Sequence, residues 1–374
     1  MWTRVRYASL FAFSIAVIGC NNPALENGVP AQQGSRGVEE VQKVEGDSAD
    51  VIAALEQVAT SVKIDGDGFV TEVNFRDTAI GDDVLQQLAS LERVQSLLLN
   101  DTSITDAGLE VVGKIKTLRN LDLRGCGVSN KGMTYLTELS SLRALRLSGS
   151  SGATTVDDDG LQSIAGLTSL KALALDFLWV SEVGLEHLAG LKKLEELYLA
   201  KTLVGDEALP LLKQFPKLKK LRISQTQVSS AGMEHLGQLT TLEDLDLSEN
   251  SQIFDDGMTH LRTLTSLKRL NLWRDALTDA GMEPLAGLTN LEWLNVDNTQ
   301  LSNAGLKHFQ KMQKLSFLHL GSTSISDAGL PELEGLTSLK DLKVTRTAVS
   351  DEGVAKLKVK LPNTEIQLKY IEGE

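Results

Sequence analysis

The chain has 374 residues, and 50 Asp and Glu against 37 Lys and Arg give it a formal charge of −13. A nucleic-acid-binding protein is expected to carry the opposite balance, at least locally, so the composition argues against a nucleic-acid partner. Nine Phe, four Tyr and four Trp are present. A core must therefore be built mainly from aliphatic side chains.

The first nineteen residues differ in composition from the rest of the chain. Arg4 and Arg6 precede an apolar run from Tyr7 to Ile18. A positive start followed by about 7–15 apolar residues is typical of a secretory signal peptide. The run is also shorter than the roughly 20 residues that a membrane span needs. We therefore expect residues 1–19 to be a signal peptide.

The letters VIGC, which end at Cys20, resemble the lipobox of bacterial lipoproteins, although Val17 and Ile18 replace the leucine and the small residue usual in that motif. In that family the peptide before the cysteine is removed and the thiol carries a diacylglyceryl group. The resemblance thus implies lipidation of Cys20 and a protein anchored to a membrane of the bacterial cell envelope, facing the periplasm or the exterior. The alternative is an ordinary signal peptide with an incidental cysteine. Residues 20–47, polar and interrupted by Gly and Pro, are expected to form a tether.

An amphipathic pattern over residues 48–62 predicts a helix that begins at Ser48. The letters KIDGDGFV follow and predict a hairpin, so residues 48–69 are interpreted as an N-terminal cap. Aligned to a calcium-binding EF-hand loop, DGDG would place Lys63 and Asn74 at two ligand positions. Neither residue suits its position, and we interpret DGDG as a turn.

From residue 70 a two-part unit recurs twelve times, as in LRNLDLRGCGVSNKGMTYLTELSS from Leu118. Each unit first places apolar residues two apart, which is typical of a strand, and then three apart, which is typical of a helix. The units start at 70, 94, 118, 142, 170, 194, 218, 242, 267, 291, 315 and 339. This pattern resembles the leucine-rich repeat. The resemblance implies an α/β solenoid over residues 70–354, with a parallel β-sheet on its concave face and short helices on its convex face.

Positions inside the repeat have predictable roles. A small polar residue follows each strand, and Cys126, which takes this place in one repeat, is expected to be packed inside rather than reactive. A Ser or Thr then stands at the expected helix N-cap, followed by an Asp favoured by the helix dipole. Pro210, Pro284 and Pro331 predict that the helices are short and partly 3₁₀. Repeat four carries a four-residue insertion within residues 148–160, and residues 355–374 are interpreted as a C-terminal cap.

No arrangement of residues supports catalysis, a metal or a cofactor. The paired Asp244 and Asp246 are expected on a solvated strand face, and the triplet of Asp157 to Asp159 reads as a helix start. The histidines at one repeat position lack a Cys or carboxylate at ligand spacing, and they are His187, His235, His260 and His308. We therefore do not expect an enzyme.

One feature of the concave face does not repeat. Large and amide side chains collect on this face in repeats nine to eleven, namely Trp273, Trp293, Phe317 and His319 with Asn271 and Asn295. Trp293 and Phe317 hold the same strand position in adjacent repeats and should stand ~5 Å apart. Aromatic residues on a solvated face suit a partner surface, and three strands span only ~10 Å. We expect a protein partner here, with a glycan of the cell wall as the alternative; the pair could also merely stiffen the sheet.

Overall fold

The computed structural model describes residues 46–369. The predicted signal peptide, Cys20 and nearly all of the predicted tether therefore lie outside the described residues. No helix within residues 46–369 is long and apolar enough to cross a lipid bilayer.

The described residues form one sheet whose fourteen strands lie side by side in the order of the sequence. The first two strands form the predicted antiparallel hairpin, and every later pair is parallel. The strands β1 to β14 are Ser61–Ile64, Val70–Asn74, Ser96–Leu98, Asn120–Asp122, Ala144–Ser148, Ala172–Asp176, Glu196–Tyr198, Lys220–Arg222, Asp244–Asp246, Arg269–Asn271, Trp293–Asn295, Phe317–His319, Asp341–Lys343 and Glu365–Gln367. This topology is the predicted leucine-rich-repeat solenoid.

The register of the strands explains the core. The middle residue of each short strand pairs with its equivalent in the next repeat, as in Leu97, Leu121 and Leu145. These side chains are fully buried, together with the Leu, Val or Ile residues of the other layer. Burial of one such side chain contributes about 1.5–3 kcal/mol, and only stacked neighbours provide it. The opposite face of every strand is left for polar and aromatic residues.

The other layer consists of short helices, as the three prolines predict. The helices α1 to α9 are Ala49–Val58, Asp106–Val112, Asn130–Thr134, Asp158–Ile164, Glu182–His187, Met233–Leu236, Asp255–Met258, Asp279–Met282 and Asp351–Lys360. The 3₁₀ segments are Asp82–Ser90, Leu188–Gly190, Asp206–Gln214, Thr259–Thr263, Glu283–Gly287, Asn303–Phe309 and Asp327–Leu333. Pro210, Pro284 and Pro331 all lie in 3₁₀ segments.

The polar residue after each strand closes the turn, as expected. Thr202 Oγ1, for example, donates a 2.8 Å hydrogen bond to the carbonyl oxygen of Leu199, three residues earlier. Cys126 is fully buried and its Sγ donates to the carbonyl oxygen of Leu99 at 3.1 Å. Burial raises the pKa of the Cys126 thiol, which makes the reactive thiolate scarce. The prediction of a buried cysteine is confirmed.

The Asp that follows most of the N-caps has a role that the helix dipole does not explain. The Ser229 backbone N–H and Oγ–H donate to the two carboxylate oxygens of Asp206, one repeat earlier, at 2.8 and 2.6 Å. The same pair of bonds recurs between other repeats, joining Asp82 to Thr105, Asp106 to Ser129, Asp158 to Ser181, Asp255 to Thr278, Asp279 to Ser302 and Asp327 to Ser350. We call this series the Asp–Ser ladder.

The Asp–Ser ladder also explains the glycine that stands three residues after the N-cap Ser or Thr, as Gly232 stands after Ser229. A Cβ at Gly232 would lie 2.3 Å from Asp206 Oδ1, and a Cβ at most of the equivalent glycines would likewise meet the ladder carboxylate of the preceding repeat. A side chain there would have to displace a carboxylate that two hydrogen bonds hold in place. The glycine is therefore required by close approach between repeats and not by backbone conformation.

The two ends of the described array agree with the predicted elements in part. Ser48 stands at the N-cap of α1, but its side chain makes no capping hydrogen bond. Within DGDG, Asp65 Oδ1 accepts from the backbone N–H groups of Asp67 and Phe69, which makes this segment a turn as predicted. At the other end, α9 crosses residue 355, where the C-terminal cap is expected to start, and β14 adds the last parallel strand.

Candidate functional site

The site is built on three consecutive parallel strands, β10 to β12. Parallel pairing places Arg269, Trp293 and Phe317 side by side, because each is the first residue of its strand. The third residues of the same strands are Asn271, Asn295 and His319, which form a second row. Both rows lie on the face opposite the buried leucines, since side chains alternate along a strand.

The first row is a continuous stack. The rings of Trp293 and Phe317 are 5.0 Å apart between centroids and inclined by 5°. The Arg269 guanidinium lies over the Trp293 ring, 4.4 Å from its centroid. We call Arg269, Trp293 and Phe317 the aromatic stack. Its two rings are half-buried, and the predicted spacing of ~5 Å is confirmed. Because Trp293 is covered on one side by a ring and on another by a guanidinium, the ring edges remain to face solvent.

A groove of about 480 Å³ lies beside the stack, at the end of the strands. Its lining residues are Trp273, Arg274, Asn295, Asp297, Asn298, His319, Ser322, Lys343, Thr345, Arg346 and Gln367. We call it the C-terminal groove. The Arg274 guanidinium lies 5.3 Å from the Trp273 ring centroid. Gly321 keeps the groove open, because a Cβ there would lie 2.8 Å from both Asp297 Oδ1 and His319 Nε2.

The amide side chains of the second row orient the turns that line the groove. Asn295 Oδ1 accepts a 3.0 Å hydrogen bond from the backbone N–H of Asp297, and Asn271 Oδ1 accepts one from Trp273 at 3.3 Å. Burial lowers the pKa of His319, so its imidazole is favoured in the neutral form and can both donate and accept. The groove therefore offers hydrogen-bonding groups of both kinds next to indole and guanidinium.

A second, smaller depression of about 120 Å³ lies on the other side of the stack. Its charges are paired: Arg222 lies 3.2 Å from Asp176 and 3.5 Å from Asp246, and Arg269 lies 3.5 Å from Asp244. Burial raises the pKa of the Asp244 carboxyl. These pairs join strands that are adjacent or one strand apart, and they are arranged as a structural network, not as an acid and a base aimed at one point.

The six residues predicted to form one binding surface therefore lie around two different depressions. Trp273, Asn295 and His319 line the C-terminal groove, whereas Trp293 and Asn271 line the smaller depression. Phe317 contacts a residue of each depression. Its ring stacks on Trp293 and makes an edge-on contact with His319, with 6.4 Å between the ring centroids.

Sequence reasoning missed the part of the groove that the turns provide. Arg274, Asn298, Ser322 and Arg346 each follow a strand at the same repeat position and have a positive φ of 50–59°. Their shared spacing of 24 residues is visible in the sequence, but this spacing does not predict a left-handed backbone conformation for residues other than glycine.

Within residues 46–369, no three or more His, Cys, Asp or Glu side chains are grouped so as to hold a metal ion. The Nδ1 atom of His235 is buried without a hydrogen-bond partner, and His260 lies in the next repeat, at the edge of a shallow surface depression.

Comparisons with known proteins agree with this geometry. A model of the leucine-rich-repeat family matches residues 265–325, and a second one matches residues 114–136, 238–261 and 335–358. None of the curated proteins matches this chain in sequence. An internalin from Listeria monocytogenes superposes with a TM-score of 0.58 at 19% identity, covering 86% of this chain and 94% of its own. A leucine-rich-repeat protein from Leptospira interrogans gives a TM-score of 0.55 at 23% identity, covering 80% of this chain and 72% of its own. The matched repeats and the sheet of parallel strands show that this chain contains leucine-rich repeats and folds as a leucine-rich-repeat solenoid.

Proposed function

We propose that this protein is a recognition scaffold that binds a protein partner through the aromatic stack and the C-terminal groove on its concave face. Leucine-rich-repeat proteins are typically recognition scaffolds and not enzymes, and no enzyme family matches this chain. The observation that carries the proposal is the aromatic stack, in which two large rings are held on the solvated side of the sheet.

The stack has the physical properties of a binding anchor. Its side chains are already ordered by mutual contact, so a partner would lose little side-chain entropy on docking. Aromatic and Arg residues in a central, partly desolvated position are the residue types that dominate binding energy at protein interfaces. The adjoining groove supplies polar groups that could fix the orientation of a bound segment.

The same geometry weakens the glycan alternative. A sugar that stacks on an aromatic residue needs an open ring face, but the two sides of Trp293 are covered by Arg269 and Phe317. A peptide can instead contact ring edges and place polar groups in the groove. We therefore favour a protein segment over a cell-wall oligosaccharide at this site.

We also propose that Cys20 is lipidated and anchors the array to a membrane of the bacterial cell envelope. The support is the signal-like start of the chain and its resemblance to a lipobox. Each buried methylene contributes ~0.8 kcal/mol, and stable anchoring needs more than one acyl chain.

The variant C20A should move the protein from the membrane fraction to the soluble fraction and abolish incorporation of labelled palmitate. C126A is the matched control and should remain in the membrane, because Cys126 is the one other cysteine and is buried. Equal membrane retention of both variants would reject the anchor.

The binding test compares two double variants on the same face. W293A/F317A removes the stack, whereas S96A/N120A changes two residues that pair in the same way at the same strand position in repeats two and three. The immobilised proteins are incubated with envelope extract of the source organism, and the retained protein is identified and its affinity measured. We expect W293A/F317A to weaken binding by at least about tenfold, or 1.4 kcal/mol, and S96A/N120A to bind normally.

A parallel titration tests the alternative ligand. Cell-wall oligosaccharides are added while tryptophan fluorescence is recorded, and we expect no saturable change. A saturable change that W293A/F317A abolishes would replace the protein partner with a glycan. Equal binding of the protein partner by both double variants, with unchanged far-UV circular dichroism, would reject the stack as the anchor.

A further inference from the structure

A second surface carries exposed apolar side chains away from the aromatic stack. Trp179 is 73% exposed, Val183 49%, and Phe177 and Leu203 41% each. We call these four residues the rim patch: Phe177 and Trp179 follow β6, Leu203 follows β7, and Val183 is the second residue of α5. Eight large hydrophobic residues in the described part of the chain are exposed, and half of them lie in this short stretch. Such clustering marks an interaction surface, whereas single exposed residues are ordinary.

The repeats themselves show that the fold does not require these residues. The position of Trp179 and Leu203 is occupied in other repeats by small or polar residues, including Gly127, Thr155, Gln227, Ser324 and Ala348. In all of these repeats the chain continues from this position into a helical segment of the same layer. The apolar side chains of Trp179 and Leu203 are therefore not needed for the packing of repeats five and six.

Phe177 provides a second, independent observation. Its φ is +63°, the left-handed conformation that each repeat adopts after its strand. The other non-glycine residues that hold this conformation in the described array are all polar or charged. A bulky aromatic residue is uncommon there, and outliers of this kind concentrate at functional positions. The Lys201 ammonium lies 5.1 Å from the Phe177 ring centroid and holds the ring at the surface.

The charges beside the rim patch are one cation, Lys201 at the Phe177 ring, and three carboxylates around Val183. The carboxylates, which outnumber the cation, define the kind of partner that the patch fits. Val183 occupies the second helical position of its repeat, and the residues at that position in the two neighbouring repeats are Asp159 and Glu207. Glu182 precedes Val183. Within residues 46–369, the carboxylates of Asp159, Glu182 and Glu207 make no ion pair. The protein as a whole is also acidic, which attracts cations over longer distances.

We propose that the rim patch docks a protein segment in which apolar side chains alternate with Lys or Arg. The apolar side chains would cover Trp179 and Leu203 while the cations pair with the surrounding carboxylates. A second copy of this chain fits poorly, because a two-fold symmetric contact would oppose the same carboxylates to themselves. The rim patch and the concave site use different residues, so binding at one does not presuppose binding at the other.

The test uses full-length protein with a single tryptophan reporter. W2F/W273F/W293F leaves Trp179 as the one indole in the chain. The probes are three synthetic peptides, one alternating Leu with Lys, one Ser with Lys and one Leu with Glu. We expect the Leu/Lys peptide alone to give a saturable blue shift of Trp179 emission, since that shift reports burial of the indole. Adding V183S/L203S should weaken this binding at least about tenfold. V359S, which changes a residue 79% exposed elsewhere, should leave it unchanged.

Three results would overturn the proposal. An equal shift with the Ser/Lys peptide would show that charge alone is recognised, and an equal shift with the Leu/Glu peptide would show that apolar contact alone suffices. A blue shift that depends on protein concentration without any peptide, together with dimers in sedimentation, would assign the patch to a second copy of the chain.

Discussion

Removing one rung of the Asp–Ser ladder should destabilise the array by an amount that the structure specifies. D206A deletes the carboxylate that accepts the Ser229 N–H at 2.8 Å and its hydroxyl at 2.6 Å. A hydrogen bond to a charged group contributes about 1.5–3 kcal/mol, and partial exposure places these bonds at the low end. We therefore expect D206A to lower the free energy of unfolding by about 3 kcal/mol.

The protein contains its own control for this substitution. Asn303 occupies the position of Asp206 in another repeat, where its Oδ1 accepts the Ser326 N–H and its Nδ2 donates to the Ser326 hydroxyl, both at 2.9 Å. D206N should therefore keep both hydrogen bonds and lose only their charge assistance. We expect it to cost less than about 1 kcal/mol.

A double-mutant cycle tests whether Gly232 is required by the ladder. G232A alone places a Cβ 2.3 Å from Asp206 Oδ1 and 2.7 Å from Leu209 Cδ1, and such overpacking costs about 1–3 kcal/mol. In the D206A background the first contact no longer exists, and the leucine can adjust. The double variant should therefore be more stable than the sum of the single effects predicts, by about 1–2 kcal/mol.

The assay is urea unfolding followed by far-UV circular dichroism at pH 7. The slope with urea must be unchanged among the variants for the free energies to be compared. Because repeat arrays can open locally, hydrogen exchange at the Ser229 amide checks that the effect is at the deleted rung. Single effects that add to within about 0.5 kcal/mol would refute the coupling between Asp206 and Gly232.

The elements that repeat could be predicted from the sequence because one register fixes them all. The 24-residue period predicts that Trp293 and Phe317 are cross-strand neighbours, and the structure places their rings 5.0 Å apart. The buried leucines and the closing threonines follow from the same period. Each of these contacts joins equivalent residues of adjacent repeats, so the period of the sequence pattern directly predicts which residues are in contact.

Contacts between non-equivalent positions could not be predicted in this way. The sequence predicts that Asp206 interacts with the dipole of its own helix, yet its main partner is Ser229, 23 residues away. The C-terminal groove depends on turn residues such as Arg274 and on the space left by Gly321. Trp179 lies between the strand and the helix of its repeat, where neither the two-residue nor the three-residue period applies. In each case the position of the residue depends on a turn conformation that hydrophobic spacing does not encode.

Three further predictions concern the turns after the strands. T202V should lower the free energy of unfolding by about 1–2 kcal/mol in urea titrations, because the buried carbonyl of Leu199 loses its donor; an unchanged midpoint would contradict this role. The Cys126 thiol should react with a thiol reagent only after denaturation, whereas complete reaction within seconds in native buffer would contradict its burial. Asp275 occupies the place of these threonines, is 2% exposed, and its Oδ2 has no hydrogen-bond partner. Burial raises its pKa to about 8, against roughly 3.9 in the unfolded chain, so the folded state binds the proton more tightly. The resulting stability is fully present below about pH 4 and is lost as the pH rises towards 8, by roughly 3 kcal/mol between pH 5 and pH 7. D275T should remove this loss and add a hydroxyl donor to the Leu272 carbonyl, which already accepts the backbone N–H of residue 275 at 3.2 Å. Its advantage over the natural protein should therefore grow with pH. A difference that stays constant from pH 5 to pH 8 would show that Asp275 is ionised in the folded protein.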